Sequence, residues 1–165
     1  MRGGNVVAGI SVRWLSDDEQ RAWRAYLRGN RLLEVALDKA LQEHGLSLSE
    51  YEIISMLSEA PKRRMRMSEL ADIVTLSRSR LTHTAARLET RGWVERLPFE
   101  GDKRGVHLCL TAAGLAQVKV ASRVHVNSVR ESLIDLLSPE QFRQLGEAMA
   151  AVEDSLRARF AAAAK

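Results

Sequence analysis

The sequence contains few of the residues from which disulfides, metal centres and membrane spans are formed. One cysteine among 165 residues, Cys109, cannot form an internal disulfide, so nothing calls for an oxidising compartment. The four histidines share no metal-ligand spacing. No uncharged run approaches the ~18 apolar residues of a membrane span, and the apolar stretch near the N-terminus is too short for a secretory signal. We therefore expect a cytoplasmic protein with no metal, no cofactor and no membrane partner.

The motifs of the common enzyme classes are missing as well. The sequence contains no G-x-S-x-G, G-x-G-x-x-G, Walker A or H-E-x-x-H pattern. Its composition is that of a folded protein, with 45% hydrophobic residues, 28% charged residues and only 3 prolines. A chain of this length is sufficient for one domain with its own core. We expect a single domain over residues 1–165 without enzymatic activity.

Positive charge is present in excess, and it is unevenly distributed. The net charge is +4. Residues 62–104 contain 11 Lys or Arg and 6 Asp or Glu, a balance of +5, whereas the rest of the chain has a balance of −1. Such a concentration is expected where a protein contacts a phosphate backbone. A solvated basic surface would give the same counts, so charge alone does not decide between them.

Long amphipathic helices are predicted at both ends of the chain. Capping boxes, in which a serine is followed three residues later by Glu or Gln, begin at Ser16, Ser47 and Ser138. The first helix is expected to run to about His44, before Gly45, and the second is closed by Pro61. Thr111 is expected to cap a further helix over residues 111–136. One small lobe cannot cover all the apolar stripes of these helices, and a symmetric dimer would bury the remainder.

The basic segment between these helices has the pattern of a winged helix-turn-helix. The run "KRRMRM" leads to Ser68, the predicted N-cap of the helix "ELADIVT". After a break at residues 76–77, the helix "RSRLTHTAARLETRG" ends at Gly92. The apolar runs "WVERLPF" and "VHLCLT" then flank "EGDKRG", which predicts a hairpin with a charged tip. A helix pair followed directly by a hairpin is a stronger signal than the helix pair alone.

The helix over residues 78–91 has two different faces. Its apolar face, predicted to pack against Leu70, Ile73 and Val74, consists of Leu81, Thr84, Ala85 and Leu88. The other sides carry Ser79, Arg80, Thr82, His83, Ala86, Arg87 and Thr90. Short hydroxyls and forked arginines suit a helix in the major groove of DNA. An ordinary exposed face is the alternative, but it usually contains more Glu and Lys.

The hairpin tip carries charged side chains next to this helix. Lys103 and Arg104 are expected to reach the adjacent minor groove or its phosphates. Asp102 is expected to accept hydrogen bonds from the tip backbone and to brace Arg104. Gly101 and Gly105 allow the backbone angles that a tight tip requires.

The sequence resembles the MarR (multiple-antibiotic-resistance) family of bacterial transcriptional regulators. The matching stretches are "LSLSEYEIISML", "MRMSELADIVTLSRSRLTHTAARLETRGWVER", "GDKRGVHLCLTAAG" and "LSPEQ", with Asp102-x-Arg104 the most specific. The resemblance implies a mainly α winged helix-turn-helix with a small β-wing, in the order α1-α2-β1-α3-α4-β2-wing-β3-α5-α6. It also implies a homodimer that binds a palindromic operator in double-stranded DNA, usually as a repressor released by a small aromatic or phenolic ligand. By position, it assigns DNA contacts to Ser77, Arg78, Ser79, Arg80, Thr82, His83, Arg87, Asp102 and Arg104, and the first strand of the wing sheet to Arg64–Met67.

The predicted organisation separates a DNA-binding lobe from a dimerisation lobe. Residues 46–111 form the winged-helix lobe, and residues 12–45 and 112–163 form the helical dimerisation lobe. An anionic aromatic effector would need stacking surface and cations, for which the candidates on or before the first helix are Trp14, Trp23, Arg24 and Arg28. Cys109, in the third predicted strand, is interpreted as a structural thiol. The alternative function is a winged-helix module for protein–protein contacts without specific DNA binding.

Overall fold

The structure is a computed structural model that describes residues 12–99 and 102–163. Its elements are α1 (Asp17–Gln42), α2 (Leu48–Glu59), a 3₁₀ turn (Pro61–Arg63), β1 (Arg64–Arg66), α3 (Met67–Ile73), α4 (Arg78–Thr90), β2 (Val94–Phe99), β3 (Asp102–Leu110), α5 (Ala112–Ser132), a second 3₁₀ turn (Ile134–Leu136) and α6 (Pro139–Ala163). This order confirms the predicted mainly α fold with a small β-wing.

The chain divides into two compact units between Val35 and Ala36. Of the first unit the structure describes residues 12–35, which include the start of α1. The predicted capping box is present there, because the Ser16 amide donates to Glu19 Oε2 (2.7 Å) and the Glu19 amide donates to Ser16 Oγ (3.2 Å). Trp23 stacks on Tyr26 with ring centroids 5.8 Å apart.

The hydrophobic core of the second unit lies under α2, α4 and the sheet. One buried cluster contains side chains from the end of α1, from α2, α3, α4 and α5, and from the sheet. Its fully buried leucines and isoleucines include Leu41, Leu46, Ile53, Ile54, Leu57, Leu70, Leu81, Leu88 and Leu108. The sheet is antiparallel, in the order β1-β3-β2. Arg64 pairs with Cys109, and Val94 pairs with Leu110. The sheet thus fixes the β2–β3 hairpin beside α4.

Three capping predictions in this unit are confirmed by hydrogen bonds. Ser47 accepts from the Glu50 amide while the Glu50 carboxylate accepts from the Ser47 amide. Thr111 accepts from the Gly114 amide at the start of α5. Ser138 and Gln141 form the box at the start of α6. Each polar pattern therefore begins its helix where the sequence predicted.

Several predicted details were wrong. Ser68 does not cap α3, because β1 continues directly into the helix and Arg66 occupies the N-cap position, where its side chain makes no capping hydrogen bond. Helix α1 ends at Gln42, two residues before the prediction, and the chain turns through Gly45 at φ +76°. Helix α5 ends at Ser132, and the remainder of the predicted helix is the second 3₁₀ turn. Ile73, expected in the core, is 42% exposed.

Helix α6 exposes its apolar stripe. None of its described residues is buried, and the exposed side chains include Phe142, Met149, Val152, Leu156 and Phe160. Among the described residues, none of the helices is both long enough and apolar enough to cross a membrane.

Candidate nucleic-acid interface

Helix α4, which we call the recognition helix, buries one face and exposes the other. Its buried side chains are the predicted set Leu81, Thr84, Ala85 and Leu88, each 2% exposed or less. The exposed side chains are Arg78, Ser79, Arg80, Thr82, His83, Ala86 and Arg87, together with Glu89 and Thr90. Because burial uses only one face, the arginines and short hydroxyls are left available to a ligand in solution.

Hydroxyl groups on the recognition helix differ in what they can still bind. Ser77 caps the helix, since its Oγ accepts from the Arg80 amide at 3.2 Å. Thr82 donates to the Arg78 carbonyl (2.8 Å), so that its exposed oxygen remains an acceptor. No side-chain bond of Ser79 is seen among the described residues, which fits a hydroxyl that can both donate and accept.

Glu50 anchors the second half of the recognition helix to α2. Its carboxylate is 3% exposed and accepts from Arg87 Nε at 3.1 Å, while Arg91 Nη1 lies 3.8 Å from its other oxygen. Burial raises the pKa of Glu50, but hydrogen bonds from Ser47 and Arg87 and the charge of Arg91 outweigh it, so the pKa lies below its ordinary value. Arg87, predicted as a DNA contact, is thus also an internal ion-pair partner.

Arg96 ties the hairpin to the same helix from the other side. From β2, its Nη1 donates to Glu89 Oε2 (2.9 Å) and its Nη2 donates to the Thr82 carbonyl (3.0 Å). Sequence reasoning missed this residue. Its partners lie 7 and 14 positions away, so no local pattern indicates the contact.

The end of the recognition helix is joined tightly to the start of α5. Thr111 Oγ1 donates to the carbonyl of Gly92 (2.7 Å) and lies 3.1 Å from the Trp93 carbonyl oxygen. A Cβ placed on Gly114 would lie 2.1 Å from the Trp93 oxygen, so only glycine fits at this approach. Gly92 has φ +70°, which explains the predicted helix stop.

The wing is the β2–β3 hairpin. Its pairing is regular from Val94 to Pro98 and then shifts, with Phe99 opposite Asp102. The backbone of Asp102, Lys103 and Arg104 belongs to β3. Gly101 and the three charged side chains lie outside the described part of the chain. Their predicted DNA contacts, and the bracing of Arg104 by Asp102, therefore stay predictions.

The predicted effector-binding residues lie in the first unit. Trp14, Trp23, Arg24 and Arg28 are all exposed, Trp14 by 68% and Trp23 by 50%. Trp14 precedes α1, and the other three lie on it. The stacking of Trp23 on Tyr26 leaves an aromatic surface open to solvent.

Two further titratable groups lie in the second unit. His125 of α5 lies against Tyr51 of α2, with ring centroids 4.5 Å apart, and its buried Nδ1 has no partner in the described part of the chain. Burial lowers the pKa of His125 and raises the pKa of Tyr51 and of Cys109. In residues 12–99 and 102–163 no three His, Cys, Asp or Glu side chains are grouped as metal ligands.

Comparisons with known proteins agree with this architecture. The model of the MarR family matches residues 46–106. PecS of Dickeya dadantii, an HTH-type transcriptional regulator, is 35% identical over 114 residues, which are 68% of this chain and 66% of PecS, just under two thirds of its length. AbsC of Streptomyces coelicolor, a MarR family transcriptional regulator, is 44% identical, with a TM-score of 0.85 over 89% of this chain and 99% of AbsC.

A second solved structure is informative because it contains DNA. Sco3205, a MarR family transcriptional regulator from Streptomyces coelicolor in complex with DNA, is 42% identical, with a TM-score of 0.86 over 88% of this chain and 92% of its own. The similarity therefore extends well beyond the helix-turn-helix and includes most of both proteins. Together with the matched family model, it shows that the chain belongs to the MarR family of winged-helix, DNA-binding transcriptional regulators.

Proposed function

We propose that this protein represses transcription by binding a palindromic operator in double-stranded DNA as a homodimer. The observation that supports this most directly is the recognition helix, which buries one face completely and exposes arginines and hydroxyls on the other. In this proposal Ser77, Arg78, Ser79, Arg80, Thr82 and His83 contact bases and nearby phosphates in the major groove. Arg87, held by Glu50, contacts the backbone at the helix end.

The wing extends the contact to the neighbouring minor groove. Lys103 and Arg104 supply positive charge there, and Asp102 orients Arg104. Narrow grooves of A·T-rich DNA attract arginine most strongly. The pairing of β2 with β3 supports this placement, because Arg96 of β2 donates to the Thr82 carbonyl and so holds the hairpin next to the recognition helix.

The homodimer would form through the terminal helices. The exposed stripe of α6 and the exposed apolar side chains of α1 are too extensive for isolated surface positions. A two-fold dimer covers them and places two recognition helices on two half-sites. Light scattering at micromolar concentration should give twice the 18.4 kDa mass of one chain. A mass of one chain would contradict the dimer.

DNA binding is tested by selection from the source genome followed by mobility shifts. Fragments retained by the protein should share a palindromic motif, and a duplex carrying it should bind at least 10³-fold more tightly than scrambled DNA at physiological salt. Arg80→Ala should weaken this binding, whereas Arg123→Ala, which removes an exposed arginine from α5, should not. Failure to retain any duplex would favour the alternative, a winged-helix module for protein partners.

Release by an anionic aromatic ligand is the regulatory part of the proposal. Trp14, Trp23, Arg24 and Arg28 offer exposed rings and cations in one unit. A ligand lowers DNA affinity only if it binds the DNA-incompetent arrangement more tightly. Salicylate-like acids should therefore release the operator and change tryptophan fluorescence at the same concentration. A fluorescence change without release would contradict the regulatory role.

A further inference from the structure

A tight turn over residues 43–47 joins α1 to α2. Gly45 lies in the left-handed region at φ +76°, and its amide donates to the Gln42 carbonyl (2.9 Å). The Leu46 amide donates to the Leu41 carbonyl (3.1 Å), and both leucine side chains are buried in the core. These bonds form the Schellman ending of a helix, which holds the turn in one conformation and uses its amides. The Gly45 carbonyl is left to accept from another element.

Two contacts from α1 and α5 hold this turn in place. The Leu48 amide, at the start of α2, donates to Asp38 Oδ1 of α1 at 2.8 Å. Gln117 Nε2 of α5 lies 3.5 Å from the His44 carbonyl oxygen. The last turns of α1 are therefore connected to the winged-helix lobe by side chains as well as by the chain itself.

A third contact comes from the end of the recognition helix. Arg91, the residue before Gly92, donates from Nη1 to the Gly45 carbonyl, and the same nitrogen lies 3.8 Å from Glu50 Oε2. Its guanidinium carbon lies 4.9 Å from the centroid of the Trp93 ring. A planar guanidinium can make all of these contacts together, because it has several donors and a flat face. Arg91 thus joins the recognition helix directly to the turn after α1.

We propose that Arg91 is a positioning residue that fixes the direction in which the last turns of α1 leave the winged-helix lobe, and thereby the spacing of the two recognition helices in the dimer. The inference rests on the proposed function. If α1 takes part in dimerisation, the turn at Gly45 lies between the dimer contacts and each recognition helix. Half-sites lie about 34–36 Å apart, or a multiple of this distance, so a bend at the turn changes the fit to DNA without changing any base contact.

Arg91→Lys tests this role without a change of charge. A single ammonium keeps the positive charge near Glu50 but cannot bond the Gly45 carbonyl and lie flat on Trp93 at the same time. The operator obtained by selection is compared with duplexes that have one base pair added or removed between the half-sites. The preference of Arg91→Lys for the natural spacing should fall about two- to tenfold, the range expected for one lost hydrogen bond.

Three readouts separate positioning from DNA contact and from stability. The half-site motif and the salt dependence of Arg91→Lys should equal those of the wild type, because no base or phosphate contact is removed. Arg123→Lys, at an exposed position of α5, is the matched control and should keep the wild-type spacing preference. Urea unfolding measures the stability of each variant. A less stable Arg91→Lys with the wild-type spacing preference would show a merely structural role and overturn the proposal.

The distance between the two recognition helices can also be measured without DNA. Ala86 is exposed on the recognition helix, so a spin label at Ala86→Cys, combined with Cys109→Ser, places one label on each protomer. Pulsed dipolar spectroscopy of the dimer then gives the distribution of label distances. Introducing Arg91→Lys should broaden or shift this distribution, and circular dichroism confirms that the helices are intact. Superimposable distributions would overturn the proposal.

The outcomes distinguish this inference from the proposed function. A dimer that binds its operator, but whose spacing preference and label distances are unaffected by Arg91→Lys, overturns the role of Arg91 alone. A monomeric protein gives no distance between labels, and it overturns the proposed dimer and the inference with it.

Discussion

Arg87 Nε donates to the buried carboxylate of Glu50 at 3.1 Å, which joins the last turns of the recognition helix to the first turn of α2. The same carboxylate closes the capping box of α2 through the Ser47 amide. One side chain thus holds two helix ends together. A buried carboxylate that loses its partner is costly, so this pair should determine the stability of the winged-helix lobe.

Glu50→Gln should reduce the free energy of unfolding by about 1–3 kcal/mol, because it removes the charge from hydrogen bonds with Ser47 and Arg87 while it keeps the shape. Glu43→Gln, at an exposed turn position, is the matched control and should change it by less than about 0.5 kcal/mol. Urea unfolding at pH 7 and at one protein concentration measures the free energy of unfolding of both variants. Equal midpoints for the two variants would show that the buried pair contributes nothing.

The pH dependence of stability should carry a contribution from His125. Burial lowers its pKa in the folded protein, so the unfolded chain takes up a proton near its ordinary value of about 6.5 while the folded chain does not. Stability should therefore fall as pH drops through and below that range. His125→Phe keeps a ring against Tyr51 and should reduce this loss. If the free energy of unfolding fell equally in the wild type and in His125→Phe between pH 7.5 and 5.5, the predicted contribution of His125 would be contradicted.

Arg104→Gln should weaken binding to all duplexes and lower the salt slope by about one, because a wing cation displaces counterions from DNA. Dimer mass should be unchanged, since the wing is separate from α1 and α6 in the chain. Salt titrations on operator and scrambled DNA provide the measurement. A slope equal to that of the wild type would mean that the wing does not contact phosphate or groove.

Ser79→Ala and Arg80→Ala should relax base preference at individual positions, with each lost base contact contributing about 1–3 kcal/mol of discrimination. Thr90→Ala is the matched control, because its hydroxyl donates to the Ala86 carbonyl within the helix. Selection of binding sites from random duplexes with each of the three variants measures their base preferences. An unchanged motif for the first two variants would place the sequence readout elsewhere.

Local patterns predicted most of the fold. The boxes at Ser16, Ser47 and Ser138 and the stop at Gly92 depend on residues within four positions of each other, and each was confirmed. The buried face of the recognition helix followed from helical spacing alone. Ser68 failed because the pairing of β1 with β3, a contact between distant segments, determines where α3 begins.

The parts of the site that could not be predicted depend on long-range packing. Glu50 and Arg87 are 37 positions apart, and Arg96 contacts a backbone carbonyl, which no side-chain pattern reveals. The cavity lined by Arg66, Thr82 and Arg96 brings together residues of β1, the recognition helix and β2, which are distant in the chain. Composition indicated that this segment is basic but did not show which cations share a surface.

The close approach at Gly114 has a mechanical consequence. The Trp93 carbonyl leaves no room for a side chain on Gly114, and Thr111 is bonded to Gly92, so the first turn of α5 packs directly on the end of the recognition helix. We therefore expect a tilt of α5, which is 21 residues long, to change the position of the exposed arginines of the recognition helix. Gly114→Ala would force this joint apart and misdirect the recognition helix without altering any residue that faces a ligand.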